Sequence, residues 1–142
     1  MKITNENILL EAIERLHNLG PNIVVISSST MVENQEIITL YASNRKENQQ
    51  VKVDIPKITK ADGSGVFTGT GDLLTAMLVA QTSNQALDFP SAIERAVNIL
   101  RCVLLKSVEI PLQGTNEINI IAARKEILEP RLDLKVVQVN RK

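Results

Sequence analysis

The sequence is poor in the residues that several classes of functional site require. It has one cysteine, Cys102, and one histidine, His17, so it offers neither an intramolecular disulfide nor a zinc-ligand cluster. Cys102 lies in an apolar run and is predicted to be a buried helix thiol. Aromatic residues make up 2% of the chain, which excludes stacking platforms for single-stranded nucleic acid. Acidic and basic residues balance at 16 each, which gives no reason to expect a nucleic-acid partner.

Long apolar segments are also missing, and the start of the sequence does not predict a secretory leader. No stretch reaches the ~18 apolar residues of a membrane span, and no apolar region follows residues 1–4. We therefore expect a cytoplasmic protein with no membrane partner. The chain has 142 residues, 44% of them hydrophobic, which suits one compact domain or part of a larger one.

The first half of the sequence predicts a mixture of helix and strands. Apolar residues recur at helical spacing over residues 5–19, and Gly20 ends that helix. A run of β-branched residues within 22–27 is typical of a strand buried on both faces, as in a parallel sheet. Two further strands at 36–42 and 50–55 are predicted to form a hairpin. A helix followed directly by an apolar strand indicates an α/β fold.

The second half is predicted to be mainly helical. A loop rich in glycine, serine and threonine at 57–70 leads into a helix at about 71–85, whose nearly uniform apolar character is typical of a buried helix. Another helix is predicted at about 91–107, with Ser91 as its N-cap and Glu94 as the capping-box partner. The remaining predicted elements are a short strand at 117–121, a short helix at 122–128 and an edge strand at 134–139.

One short segment combines the features of a phosphate site. Glycines flank Thr70 where the apolar helix begins, and the free N–H groups of a helix N-terminus attract anions. Asp72 follows in the first turn, where a carboxylate can act as general base for a hydroxyl that attacks phosphorus. The N–H groups of Gly69, Thr70 and Gly71 would then stabilise the transferred phosphoryl group. The same residues can equally form a loop with an N-terminal acid, and they lack the Gly-Lys-Ser/Thr ending of a Walker loop.

The sequence around this segment resembles the pyridoxal kinases of the ribokinase-like superfamily. Residues 67–78, FTGTGDLLTAML, are similar to the anion-hole segment of that family. Residues 22–29, NIVVISSS, are similar to its strand that ends in a Thr/Ser-Ser pair, and residues 122–127, with Glu129 and Pro130, resemble its closing segment. The resemblance covers essentially the whole chain. It implies an α/β fold, the C-terminal half of a ribokinase-like three-layer α/β/α sandwich.

The resemblance also implies roles for individual residues. Asp72 would be the catalytic base acting on the 5′-hydroxymethyl group of pyridoxal, and Gly69, Thr70 and Gly71 would form the anion hole. The implied ATP-binding residues are Ser27, Ser28, Gly63, Ser64, Gly65 and Thr70, with Ser27 also a ligand of a monovalent cation. The implied cofactors are ATP, Mg²⁺ or Zn²⁺, and K⁺ or Na⁺. The implied partners are pyridoxal-type small molecules, and the full-length members of the family are expected to form homodimers.

Residues 1–142 would thus form the C-terminal part of a pyridoxal kinase domain. Because complete members are about twice this length, we expect the N-terminal half, with most pyridoxal contacts, to be absent, which would leave apolar surface exposed. The implied activity is ATP-dependent phosphorylation of pyridoxal, and also of pyridoxine and pyridoxamine, in vitamin B6 salvage. Two alternatives stay open: a kinase for another hydroxymethyl heterocycle such as hydroxymethylpyrimidine, and an inactive fragment that binds only a nucleotide or a protein partner.

Overall fold

A four-stranded sheet organises one unit of the chain, and two packed helices organise the other. The computed structural model describes residues 3, 5–29, 36–60, 63 and 67–139. The first unit comprises Met1–Pro56 and Val136–Lys142, and the second comprises Lys57–Lys135. In chain order the elements are α1 (Glu6–His17), β1 (Ile23–Ser29), β2 (Ile37–Asn44), β3 (Gln49–Pro56), α2 (Thr70–Thr82), α3 (Phe89–Glu109), α4 (Arg124–Leu128) and β4 (Val137–Gln138).

Helix α1 forms as the hydrophobic pattern predicts. Its first turn is capped by Asn5, whose side-chain oxygen accepts a hydrogen bond from the Ile8 N–H at 3.0 Å. Leu9 and Ile13 are buried in the core of the first unit. The predicted end of the helix is confirmed, and Gly20 follows it with a φ of 122°, which residues with a Cβ rarely adopt.

The sheet has the strand order β1-β2-β3-β4, and all neighbouring pairs are antiparallel. The predicted hairpin is confirmed, because β2 and β3 pair along their full length around a turn at 45–48. The predicted edge strand is confirmed in a shorter form as β4, which pairs with β3. The expectation of a parallel sheet is wrong for the residues described, since β1 pairs there with β2 alone. Of its β-branched run only Val24 is buried. The expectation failed because an apolar run predicts a strand and does not reveal which strands lie beside it.

A carboxylate joins α1 to the sheet. Glu6 accepts hydrogen bonds from the Lys52 ammonium at 2.7 Å and from the Tyr41 hydroxyl at 2.9 Å. These two donors hold the pKa of the Glu6 carboxyl below its ordinary value, the Lys52 hydrogen bond contributing most. Burial, together with the negative charge of Glu6, raises the pKa of the Tyr41 phenol. The contact therefore ties the first turn of α1 to β2 and β3.

The single histidine of the sequence belongs to a buried polar network in the same unit. The His17 side chain is 2% exposed, and its Nδ1 lies 2.9 Å from the Pro21 carbonyl oxygen. A carbonyl can only accept, so Nδ1 donates, and in the neutral ring Nε2 accepts from the Ser43 hydroxyl at 2.9 Å. The Gln50 amide donates to the same hydroxyl oxygen at 3.3 Å. Both ring nitrogens are thereby satisfied, as buried polar groups require.

Helix α3 begins at a different residue from the predicted one. Asp88 is the N-cap, and its carboxylate accepts a hydrogen bond from the Ser91 N–H at 2.8 Å. Ser91 is therefore the residue whose N–H is capped, and the predicted capping box with Glu94 is wrong. The Glu94 carboxylate instead accepts from the Lys135 ammonium at 2.8 Å. Cys102 is buried on this helix, as predicted.

Helix α2 is less buried than its composition predicts. Leu73 and Leu74 are buried, whereas Val79 is 62% exposed, because α2 packs within its unit against α3 on one face. The predicted strand at 117–121 is wrong, since the segment contributes a single bridge pair to Thr68. The short helix before Pro130 is confirmed as α4. Among the described residues, none of the helices combines the length and apolarity that a bilayer crossing demands.

Candidate active site

The turn that enters α2 requires glycine. Gly69 is the N-cap of the helix and has a φ of 91°, in the left-handed region where a side chain is strained. A Cβ at this position would lie 3.4 Å from Cγ1 of the buried Ile118. The Gly69 carbonyl accepts the first helical hydrogen bond, from the Leu73 N–H at 3.0 Å. Conformation and packing together therefore fix the backbone directly before α2.

The N-terminus of α2 differs from those of α1 and α3. Asn5 and Asp88 cap those two helices with side-chain oxygens, whereas Gly69 has no side chain to offer and none of the described side chains caps α2. In an α-helix the first N–H groups have no carbonyl four residues earlier to bind. The N–H groups of Thr70 and Gly71 are thus placed to receive an external anion, with the partial positive charge of the helix end behind them.

The same helical turn presents a carboxylate to solvent. Asp72 is exposed, whereas its neighbours Leu73 and Leu74 are buried. This division follows from helix geometry, because successive side chains point about 100° apart around the axis. Leu73 belongs to the core of the second unit, so it anchors the turn from which Asp72 projects. The arrangement combines a helix N-terminus of the kind that can bind an anion with a general-base candidate one residue further along the chain.

A backbone clamp before the helix was not predicted from the sequence. The Thr68 N–H donates to the Asn116 carbonyl at 2.9 Å, and the Ile118 N–H donates to the Thr68 carbonyl at 3.1 Å. These two bonds hold Thr68 in a parallel bridge with Glu117. A single bridge pair leaves no periodic pattern in a sequence, so the contact can be found only in the folded chain.

Ser27 and Ser28 lie in the first unit, in a β-bulge of strand β1. The register passes from Ile26 opposite Tyr41 to Ser29 opposite Thr39, so the two serines face one residue of β2. Both serines are exposed. Bulges redirect side chains and are frequent near functional sites. Both serines are therefore accessible to solvent, and their nucleotide-binding role stays a prediction.

The other predicted nucleotide-binding residues lie in the loop before α2. Gly63 is exposed, has a φ of 80°, and donates its N–H to the Lys60 carbonyl at 2.9 Å in a turn. Ser64 and Gly65 lie outside the described residues. Gly69, Thr70, Gly71 and Asp72 are consecutive in the second unit.

Metal-binding chemistry is sparse in the part of the chain that is described. Those residues contain no group of three or more histidine, cysteine, aspartate or glutamate side chains that could hold a metal ion. At the start of α2, the Asp72 carboxylate is the one acidic group in the first turn. A divalent cation at the start of α2 would therefore need most of its ligands from a bound phosphate or from water.

The known proteins whose sequences resemble this chain are pyridoxal kinases. No family model matches the chain. The pyridoxal kinase of Arabidopsis thaliana is 32% identical over 146 residues, an alignment that covers 95% of this chain. The chain is a homologue of the pyridoxal kinases. It spans 45% of the length of that plant relative, so the similarity concerns part of a pyridoxal kinase.

Solved structures place the chain in part of the pyridoxal kinase fold. PdxK of Plasmodium falciparum, crystallised with the ligands AMP-PNP and PL, matches 99% of this chain and 45% of its own with a TM-score of 0.80 and 26% identity. A Bacteroides thetaiotaomicron protein, provisionally assigned as a phosphomethylpyrimidine kinase, matches 96% of this chain and 44% of its own with a TM-score of 0.78 and 21% identity. The second likeness concerns the fold alone. The mixed α/β architecture is therefore shared with part of these enzymes.

Proposed function

We propose that this pyridoxal kinase homologue carries the phosphoryl-transfer residues of an ATP-dependent kinase for the 5′-hydroxymethyl group of pyridoxal, and also of pyridoxine and pyridoxamine. The observation that carries the proposal is the start of α2, where an uncapped helix end and the exposed Asp72 occur in one turn. The homology and the AMP-PNP and PL ligands of the Plasmodium protein support the choice of substrates. The chain would correspond to the C-terminal part of a ribokinase-like three-layer sandwich, residues 1–142.

The proposed chemistry is an in-line transfer from ATP. Asp72 accepts the proton of the substrate hydroxyl as that oxygen forms a bond to the γ-phosphorus. The bond from the γ-phosphorus to the β,γ-bridging oxygen breaks, and ADP leaves. The N–H groups of Gly69, Thr70 and Gly71 stabilise the negative charge on the transferred group. The products are the phosphate ester, ADP and the proton held by Asp72.

The accessory groups of this proposal rest on the family resemblance. Ser27, Ser28 and Gly63 would contact ATP, as would Ser64 and Gly65, and the exposed Ser27 hydroxyl is an oxygen donor of the kind that K⁺ or Na⁺ binds. Mg²⁺ or Zn²⁺ would arrive with the nucleotide phosphates, since the described residues supply no acidic cluster. The resemblance also suggests that the full-length kinase is a homodimer and that it acts in the cytoplasm.

The test is ATP-dependent conversion of pyridoxal to pyridoxal 5′-phosphate by the purified chain and by Asp72→Asn. Loss of a general base lowers the turnover rate by about 10²- to 10⁴-fold. The matched control is Glu117→Gln, which removes an exposed carboxylate from the segment paired with Thr68 and should keep the wild-type rate. Equal rates for the wild type and Asp72→Asn would refute the assigned role of Asp72.

A second function is favoured by the extent of the match, which covers 45% of the plant relative. A part of a kinase could bind a nucleotide or a protein partner without catalysing transfer. Calorimetric titration with AMP-PNP distinguishes the two: binding without turnover supports the binding module, and turnover supports the kinase. Absence of both AMP-PNP binding and turnover would refute the kinase and the nucleotide-binding module. Parallel turnover assays with hydroxymethylpyrimidine test the alternative that the chain acts on a different hydroxymethyl heterocycle. The fold shared with the Bacteroides protein motivates this comparison.

A further inference from the structure

Two side chains meet beside the residue that precedes Gly69. The Lys60 ammonium donates a hydrogen bond to the Asn116 side-chain oxygen at 2.6 Å. The same ammonium lies 4.9 Å from the centroid of the Phe67 ring, within the range of a cation–π contact. Lys60 therefore contacts the residue before Thr68 on one side and the residue that accepts the Thr68 N–H on the other.

This arrangement compensates for a weak local structure. Among the described residues, the bridge of Thr68 with Glu117 is an isolated pair with no neighbouring ladder to support it. Gly69 follows directly, and glycine loses more backbone entropy on ordering than any other residue. Phe67 packs against the core that contains Leu73, so the Lys60 contact connects the bridge to that core. A side-chain contact across the bridge limits the motion of the backbone that enters α2.

We propose that Lys60 and Asn116 are positioning residues, which hold Thr68 and Gly69 in the geometry that the anion site at the start of α2 needs. The inference rests on the proposed function, because it assigns a purpose to the placement of that site. Neither side chain needs to touch the nucleotide. Lys60 acts through Asn116 and Phe67, and Asn116 acts through its hydrogen bonds to Lys60 and Thr68.

The test uses the whole chain and four variants: Lys60→Met, Asn116→Ala, the double variant and Lys57→Met. Asn116→Ala keeps the lysine charge and removes the contact, and Lys57→Met removes an exposed charge from the same loop. Each variant is titrated with AMP-PNP, its melting temperature is measured, and amide exchange of Thr68 and Ile118 is followed by NMR without ligand. The wild type must bind AMP-PNP for the proposed function to hold.

The expected result is an affinity loss of about fivefold in each single variant, the order of one charge-assisted hydrogen bond near the surface. The double variant should lose no more than either single one, because both remove the same contact. Thr68 exchange should quicken, and the melting temperature should fall by no more than a few degrees, as expected for the loss of one surface contact. The affinity of Lys57→Met should stay at the wild-type value.

Three outcomes would overturn the inference while the proposed function stands. These are unchanged affinity in both single variants, a loss in Lys60→Met that Asn116→Ala does not share, and losses that multiply to about 25-fold in the double variant. The second outcome would mean that Lys60 attracts the phosphate by its charge alone. A wild-type chain that fails to bind AMP-PNP would overturn the proposed function and, with it, the positioning role.

Discussion

Two glycines in the same turn should respond in opposite directions to the same substitution. Gly69 has a φ of 91°, and alanine in the left-handed region costs roughly 1–2 kcal/mol. Its new Cβ would also lie 3.4 Å from Ile118 Cγ1, so the buried isoleucine must shift slightly. A Cβ at Gly71 would meet nothing within 4 Å, and Gly71 lies within α2. Alanine there removes backbone entropy from the unfolded chain and stabilises by up to about 1 kcal/mol.

The assay is urea unfolding of the two variants, followed by far-UV circular dichroism. Gly69→Ala should lower the free energy of unfolding by about 1–2 kcal/mol, and Gly71→Ala should leave it unchanged or raise it by up to about 1 kcal/mol. AMP-PNP affinity should nevertheless fall in both variants. Gly69→Ala disturbs the backbone that enters α2, and the methyl group added by Gly71→Ala crowds the N–H groups of the first turn. Equal stability of the two variants would refute the conformational reasoning. Full AMP-PNP affinity in Gly71→Ala would show that the ligand does not approach this backbone.

Two further predictions concern the first unit. Replacing the buried His17 by phenylalanine leaves the Ser43 hydroxyl without its acceptor, and should lower the free energy of unfolding by about 1–3 kcal/mol in a urea titration. Because Lys52 and Tyr41 lower the Glu6 pKa, the folded state binds a proton less readily than the unfolded state. The contribution of Glu6 to the free energy of unfolding is therefore fully present above the ordinary glutamate pKa of about 4.3. It is lost as the pH falls through the lowered pKa that Glu6 has in the folded state. The stability difference between the wild type and Glu6→Gln should therefore shrink on acidification.

Exposed neighbours supply the controls for these two variants. Arg15→Ala lies on the same helix as His17 with an exposed side chain, and should change stability by no more than about 0.5 kcal/mol. Glu11→Gln removes an exposed carboxylate that pairs with Arg15, and its stability difference from the wild type should be small. A stability loss in Arg15→Ala as large as that in His17→Phe would contradict the importance of the buried network. A pH-independent difference for Glu6→Gln would contradict the linkage argument.

Local sequence signals predicted the elements well where one segment decides its own structure. The periodic apolar residues of α1, the hairpin of β2 and β3, and the helix that begins beside Thr70 were all predicted near their observed bounds. The cap of α3 was missed by three residues, because Asp88 and Ser91 are both good N-caps and flanking contacts decide between them. The short bridge to Thr68 was mistaken for a strand, since β-rich composition does not reveal whether a partner strand is present.

By itself, the sequence determined the glycine-rich start of α2, with Asp72 in its first turn, because glycine conformation and helix-terminal chemistry are local properties. Only the tertiary structure decided that β1 pairs antiparallel with β2 and that Ser27 and Ser28 occupy a bulge. It also decided that His17 is buried with Ser43, and that Lys60 meets Asn116. The physical reason is distance along the chain: these contacts join residues 26 and 56 positions apart, and no periodicity within one segment encodes such a contact.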